Sequence, residues 1–151
     1  MNSGTHTAAD LRHREAPLDI GGDDFRRLGH RLVDQIGAFL DGLPGRRVTT
    51  DESPQALRQL LGSDTLPERG SPANALFDEA ATLMFDHSLF NGHPRFWGYV
   101  TSSAAPIGAL ADLLAAAVNP NVGASILSPM ATEIEAQTIR WCADLIGYPR
   151  S

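Results

Sequence analysis

Apolar residues recur every three or four positions along the stretch DDFRRLGHRLVDQIGAFLDGL, which begins at Asp23. This spacing predicts a helix with its large side chains on one face. We expect Asp23 or Asp24 to cap the helix and Gly42 to end it. Each large side chain gains roughly 1.5–3 kcal/mol when it is buried, so this face needs a partner surface. Its members are Phe25, Leu28, Leu32, Ile36, Phe39 and Leu40.

Serine-proline steps predict the start of three further helices, because serine caps a helix and proline suits its first position. They are Ser53-Pro54, Ser71-Pro72 and Ser128-Pro129. The first step opens the short stretch PQALRQLLG, the second PANALFDEAATLMFDH, and the third PMATEIEAQTIRWCADLIGYP. One more helix is predicted from Ala105 to Val118, where Asp112 is the only charge. A helix that is apolar on nearly every side is normally surrounded by protein.

These patterns predict five helices and no convincing pair of strands, so the expected fold class is all-α. We expect residues 1–22 to be a disordered tail, because they are polar and lack periodicity. Helices should fill residues 23–90 and 104–151, on either side of a loop at residues 91–103. The chain ends two residues after GYP, where a further element would be expected to begin, so we expect it to be truncated.

Composition excludes several classes of function. The formal net charge of -6 disfavours nucleic acid as a partner. A single cysteine, Cys142, rules out an intrachain disulfide and is typical of a cytoplasmic protein. We find neither a secretory signal nor an apolar run of the ~20 residues that cross a bilayer. All twelve basic residues are arginine. Without lysine, the chain can neither hold a cofactor as a Schiff base nor form a Walker loop.

Other catalytic chemistries have little support, and we expect no catalytic residue and no metal site in this chain. His87 and His93 are six positions apart, and Gly92 and Pro94 flank the second, which is not a metal-ligand spacing. No G-x-S-x-G elbow is present. We expect Cys142, which lies inside the last predicted helix, to be an inert buried thiol.

The stretch NGHPRFWGYV is the strongest candidate for a ligand site, since it gathers His93, Phe96, Trp97 and Tyr99 between helix-breaking residues. It is either a hydrophobic wedge between helices or the wall of a pocket. Alternate residues of an extended segment face opposite ways. Phe96 and Gly98 would then face the core while Trp97 and Tyr99 face a cavity.

Three stretches together resemble the N-terminal portion of the pyridoxal-phosphate-dependent amino-acid decarboxylases, the group with aromatic-L-amino-acid, histidine and glutamate decarboxylases. They are HPRFWGYV, APIGALADLLAAAVNPNVG and LSPMATEIEAQTIRWCADLIGYP. The resemblance is clear over Asn91 to Pro149, plausible for the first helices, and absent before Gly22. It implies a helical segment of a fold-type I enzyme whose large α/β cofactor domain is missing here.

The resemblance also implies roles. Residues 23–90 would embrace a partner subunit, and residues 104–151 would lead into the absent cofactor domain. Trp97, Tyr99 and Thr101 would line the pocket for the amino-acid substrate, with His93 and Phe96 supporting the loop. Val122, Ala124 and Ser125 would reach towards the pocket of the second subunit of a homodimer. The side chains of Ala124 and Ser125 are small, which disfavours an aromatic substrate. Pyridoxal 5'-phosphate would be bound in the full-length family, and not covalently by this chain.

Three hypotheses follow. The chain is the N-terminal segment of such a decarboxylase, supplying dimer contacts and a pocket wall. Alternatively, it is a non-catalytic helical module that dimerises or binds a full-length homologue. In the third, it is an isolated helical domain that binds an apolar small molecule with Trp97 and Tyr99.

Overall fold

The computed structural model describes residues 19–62 and 65–149. Residues 1–18, most of the predicted tail, lie outside this range. The described part confirms the all-α expectation, because its regular elements are five α-helices and one 3-10 turn. They are α1 (Gly22–Gly42), the 3-10 turn Leu43–Gly45, α2 (Pro54–Leu61), α3 (Ala73–Asp86), α4 (Pro106–Val118) and α5 (Pro129–Leu145).

The helix starts agree with the sequence in part. Ser53 caps α2 as predicted, since its hydroxyl accepts a hydrogen bond from the amide of Ala56 at 3.2 Å. The capping prediction for α1 was wrong, because the helix begins at Gly22 after Gly21 and no side chain caps it. Asp23 and Asp24 lie in its first turn, where negative charge suits the helix dipole. Helix α3 begins one residue later than predicted, with Pro72 at the capping position.

The chain divides between Ser102 and Ser103 into two compact units. In the first unit α1 packs against α3. Leu28 of α1 and Ala81 of α3 are its buried apolar residues within the described ranges. Asp78 of α3 forms an ion pair with Arg31 at 2.7 Å and accepts a hydrogen bond from the side-chain amide of Gln35 at 3.2 Å. These polar contacts fix the register of the two helices along one side of their interface.

Three phenylalanine rings close the C-terminal ends of α1 and α3. The rings of Phe39 and Phe85 stack with their centroids 4.5 Å apart and their planes inclined by 9°. The ring of Phe90 lies 5.2 Å from that of Phe39. The amide of Phe90 donates to the carbonyl of Val48 at 3.0 Å, which ties the chain after α3 to the segment after α1. This cluster is the base from which the aromatic loop begins.

The second unit contains α4 and α5, and neither helix has a buried residue. Asn119 ends α4 in the left-handed conformation, with φ 50° and ψ 53°, which asparagine tolerates better than most residues. Cys142 is exposed, so the expectation of a buried thiol was wrong. Most residues of α5 are exposed, and the rest are half-buried. Among the described residues, no helix has the length and apolar character needed to cross a bilayer.

Candidate functional site

His93 fixes the beginning of the aromatic loop. Its side chain is almost fully buried, with 2% of its surface exposed. Its Nδ1 accepts a hydrogen bond from the amide of Arg95 at 3.0 Å, so the ring proton lies on Nε2. Nε2 then donates to the main-chain carbonyl of Arg46 at 3.0 Å. The amide of Phe96 donates to the carbonyl of His93 at 2.9 Å, which closes a turn. His93 therefore supports the loop from inside the first unit.

Arg46 provides the main-chain carbonyl to which His93 is hydrogen-bonded, and its side chain makes further contacts. Its guanidinium donates to the carbonyl of Phe85 at 2.7 Å and to the carboxylate of Asp86 at 2.9 Å. The same group lies 5.3 Å from the centroid of the Phe39 ring, within cation–π range. Its carbonyl oxygen also accepts a second hydrogen bond, from the side chain of Arg95 at 3.1 Å. Arg46 thus connects both long helices of the first unit to the loop.

Exposure alternates along the loop. Phe96 is half-buried, and a Cβ at Gly98 would lie only 3.1 Å from two carbons of the Phe96 ring. Trp97 and Tyr99, by contrast, are 92% and 86% exposed. Tyr99 also has a φ of 58°, in the left-handed region that an aromatic residue rarely adopts. Such strain is concentrated at functional sites, because the surrounding structure must hold it in place.

The residues expected to line the substrate pocket and those expected to reach the pocket of a second subunit belong to different units. Thr101 is exposed and follows Trp97 and Tyr99 in the same loop of the first unit. Val122, Ala124 and Ser125 lie in the second unit, in the turns between α4 and α5. Within those turns the amide of Leu127 donates to the carbonyl of Ala124 at 2.9 Å. Each set is therefore held by its own local structure.

Sequence reasoning missed Arg46 and Glu52. Glu52 accepts hydrogen bonds from the hydroxyl of Thr50 at 2.7 Å and from Nδ1 of His87 at 2.8 Å. His87 joins the end of α3 to the segment before α2 through this contact. Neither residue stands in a recognisable motif, and the contacts that give them their roles join positions 35 to 49 apart in the sequence.

A cleft of about 260 Å³ lies between α1 and α3, beside the phenylalanine cluster. Gln35, Phe39, Arg46 and Asp86 are among the residues that line it. The side-chain oxygen of Gln35, Oε1, is buried there without a hydrogen-bond partner among the described residues. The side-chain nitrogen of Gln35, Nε2, donates to Asp78. Over the described ranges, no group of three or more histidine, cysteine, aspartate or glutamate side chains is arranged to hold a metal ion.

Comparison with known proteins places these features in a family. The family described as "Pyridoxal-dependent decarboxylase conserved domain" matches residues 54–151. A tyrosine decarboxylase of Oryza sativa subsp. japonica is 32% identical over 91% of this chain and 26% of its own length. An aromatic-L-amino-acid decarboxylase of Bacillus atrophaeus is 29% identical over 89% of this chain and 28% of its own. A histidine decarboxylase of Drosophila melanogaster is 29% identical over 83% of this chain and 15% of its own length.

The chain therefore corresponds to the N-terminal portion of these proteins and spans about a quarter of the length of the first two. Full-length members of the family use pyridoxal phosphate. The side chains present here do not fit the covalent anchoring of that group, because the chain has no lysine to form a Schiff base with it. What the chain does provide is an exposed aromatic surface on a fixed loop.

Proposed function

The chain belongs to the pyridoxal-dependent decarboxylase family, and on that premise we propose that it forms the substrate-enclosing N-terminal part of an amino-acid decarboxylase. One observation carries this proposal. Trp97 and Tyr99 project into solvent from a loop whose base is fixed by the buried His93. Large exposed rings on a fixed support are suited to cover a ligand, and they leave apolar surface exposed until they do so.

Trp97, Tyr99 and Thr101 have complementary tasks in this proposal. The two rings present flat apolar area that excludes water from the amino-acid substrate and limits its orientation. The hydroxyls of Tyr99 and Thr101 supply hydrogen bonds that select among bound orientations. Bond breaking belongs to the cofactor domain of the family, since this chain has no side chain that could bind the cofactor covalently.

We further propose that the partner is a second subunit of the same kind. The support is the surface of α4, on which large apolar side chains remain exposed. They are Ile107, Leu110, Leu113, Leu114 and Val118. Obligate subunit interfaces are large and apolar, commonly 2,000 Å² or more, so a face of this kind is suited to one. Val122, Ala124 and Ser125 would meet the pocket of the neighbouring subunit.

We also propose a cytoplasmic location, because the only cysteine of the sequence, Cys142, is a free thiol.

The test requires the cofactor-bearing polypeptide. Sequencing the gene and its neighbours should reveal a domain with the lysine that this chain lacks, either in frame with this chain or encoded separately. In the assembled protein, Trp97→Ala should raise KM for the amino-acid substrate by about ten-fold, because a full aromatic contact is lost. Leu66→Ala, at an exposed loop position, is the matched control and should leave KM unchanged. Unchanged kinetics in Trp97→Ala would remove the pocket-wall role.

A second candidate is a non-catalytic module that binds a full-length homologue. Two observations favour it, the absence of lysine and the lack of buried residues in α4 and α5. Under this alternative, the purified chain added to a homologous decarboxylase should form mixed dimers and reduce activity in proportion to its concentration. An activity that does not respond to excess chain would count against the module.

A further inference from the structure

We propose that Arg46 is the positioning residue of the aromatic loop. Its main-chain carbonyl oxygen binds the side chains of His93 and Arg95, and its own side chain is fixed to the end of α3. The order that Arg46 gives to the loop does not depend on any catalysed reaction. Only its effect on substrate binding rests on the proposed function. The loop's outward side chains cannot supply this order themselves, because Trp97 and Tyr99 are almost fully exposed.

The guanidinium of Arg46 is held on three sides. It donates to the carbonyl of Phe85, in the last turn of α3, and to the carboxylate of Asp86. Carbonyls at the end of a helix lack partners within the helix and carry a partial negative charge, so a cation is stabilising there. The third contact is the face of the Phe39 ring at 5.3 Å. Both hydrogen bonds come from one guanidinium nitrogen, Nη1, while the planar group also lies near the Phe39 ring, so the shorter and differently shaped ammonium of a lysine would keep the charge and lose part of this geometry.

The carbonyl oxygen of Arg46 is the point at which the loop is attached. Its two lone pairs receive Nε2–H of His93 at 3.0 Å and the Arg95 guanidinium at 3.1 Å. Because His93 is 2% exposed, displacement of this carbonyl would leave a buried ring nitrogen without a partner. Arg95 also donates its amide to the other ring nitrogen. A movement of Arg46 is therefore transmitted to both residues that precede Phe96 and Trp97.

Two spectroscopic signals test this on the chain itself, in a Trp141→Phe background. Trp97 is then the only tryptophan, since the sequence contains two. Ring ¹⁵N spectra report which nitrogen of His93 carries the proton, and the anisotropy decay of Trp97 reports loop order. We expect the Nε2–H form in the parent. Arg46→Ala should give a mixture of tautomers and raise the fast-decaying fraction of the anisotropy about two-fold.

Arg47→Ala is the matched control. It removes the same charge one position later, from a side chain that is exposed. It should leave both signals at the parent values. Arg46→Lys keeps the charge and should shift both signals in the same direction by a smaller amount. Circular dichroism identifies variants that have lost helix, and if Arg46→Ala is one of them, the decision rests on Arg46→Lys.

Parent-like His93 and Trp97 signals in a helical Arg46→Ala variant, or in Arg46→Lys where the alanine variant unfolds, would overturn the proposal. The experiment contains neither substrate nor cofactor, so its outcome does not depend on the decarboxylase activity. A KM effect of Trp97→Ala combined with an unaltered loop in Arg46→Ala would sustain the proposed function and remove this one. The reverse combination would leave Arg46 as the positioning residue of a loop with another role.

Discussion

Both carboxylate oxygens of Glu52 contact Nδ1 of His87, at 3.0 Å for Oε1 and 2.8 Å for Oε2. His87 caps the C-terminal end of α3, and Glu52 lies just before α2. The pair therefore joins two parts of the first unit that are 35 positions apart in the sequence. Because the contact depends on an ionised carboxylate, it makes stability dependent on pH.

The first prediction concerns acid. The pKa of Glu52 lies below its ordinary value of 4.5, first because the Thr50 hydroxyl donates to the carboxylate and then because His87 does. A carboxyl with a lowered folded pKa contributes stability above 4.5 and loses it as the pH falls through the folded value. Glu52→Gln should remove this part of the acid loss in urea unfolding measured across pH. Glu68→Gln, at an exposed loop position, should retain it.

Thr50→Val separates the two causes. It keeps the shape of the side chain and removes the hydrogen bond at 2.7 Å, the larger of the two effects on Glu52. The pH at which stability is lost should therefore move up towards 4.5. An acid loss at the same pH as in the unaltered chain would show that the hydroxyl does not act on this carboxyl.

The second prediction concerns Gly98. A methyl group there would lie 3.1 Å from Cε2 and Cζ of the Phe96 ring, closer than ordinary contact. Gly98→Ala should displace that ring and destabilise the first unit by about 1 kcal/mol. Gly70→Ala is the matched control, because nothing lies within 4 Å of its Cβ position. Amide hydrogen exchange of α1 and α3 measures both, and equal protection in the two variants would contradict the close packing of Phe96.

The third prediction concerns the strained backbone of Tyr99. Tyr99→Ala and Tyr99→Gly both remove the ring, which lies 6.4 Å from that of Phe96. Only glycine relieves the cost of a φ of 58°, so the glycine variant should be more stable than the alanine variant by about 1 kcal/mol. Urea unfolding of the two variants gives the difference. Equal stabilities would mean that the loop adopts another backbone conformation at this residue in solution.

The helices were predictable because their signals are local. The apolar spacing of α1 and the step from Ser53 to Pro54 require only neighbouring residues, and both elements were correctly anticipated. The cap of α1 was not, because aspartates in the first turn and an aspartate at the capping position give the same sequence pattern. Asp23 and Asp24 pair instead with the arginines three positions later.

The support of the loop was less predictable. The rings of the loop are visible in the sequence, and the expected inward position of Phe96 agrees with its half-buried state. The role of Arg46 could not be predicted, since it depends on a main-chain carbonyl that any residue would provide and on the end of α3 lying nearby. Whether Trp97, Tyr99 and Thr101 bind substrate stays a prediction.

The last prediction concerns the exposed face of α4. Leu114 is 67% exposed in a helix with no buried residue, so the purified chain should self-associate. Leu114→Glu places a charge on this face while keeping a good helix former, and it should weaken association by about ten-fold or more in sedimentation at several concentrations. Leu66→Glu adds the same charge at a loop position that is 91% exposed and should leave association unchanged. A wild-type chain that stays monomeric, or an equal effect of both substitutions, would show that α4 is not the associating surface.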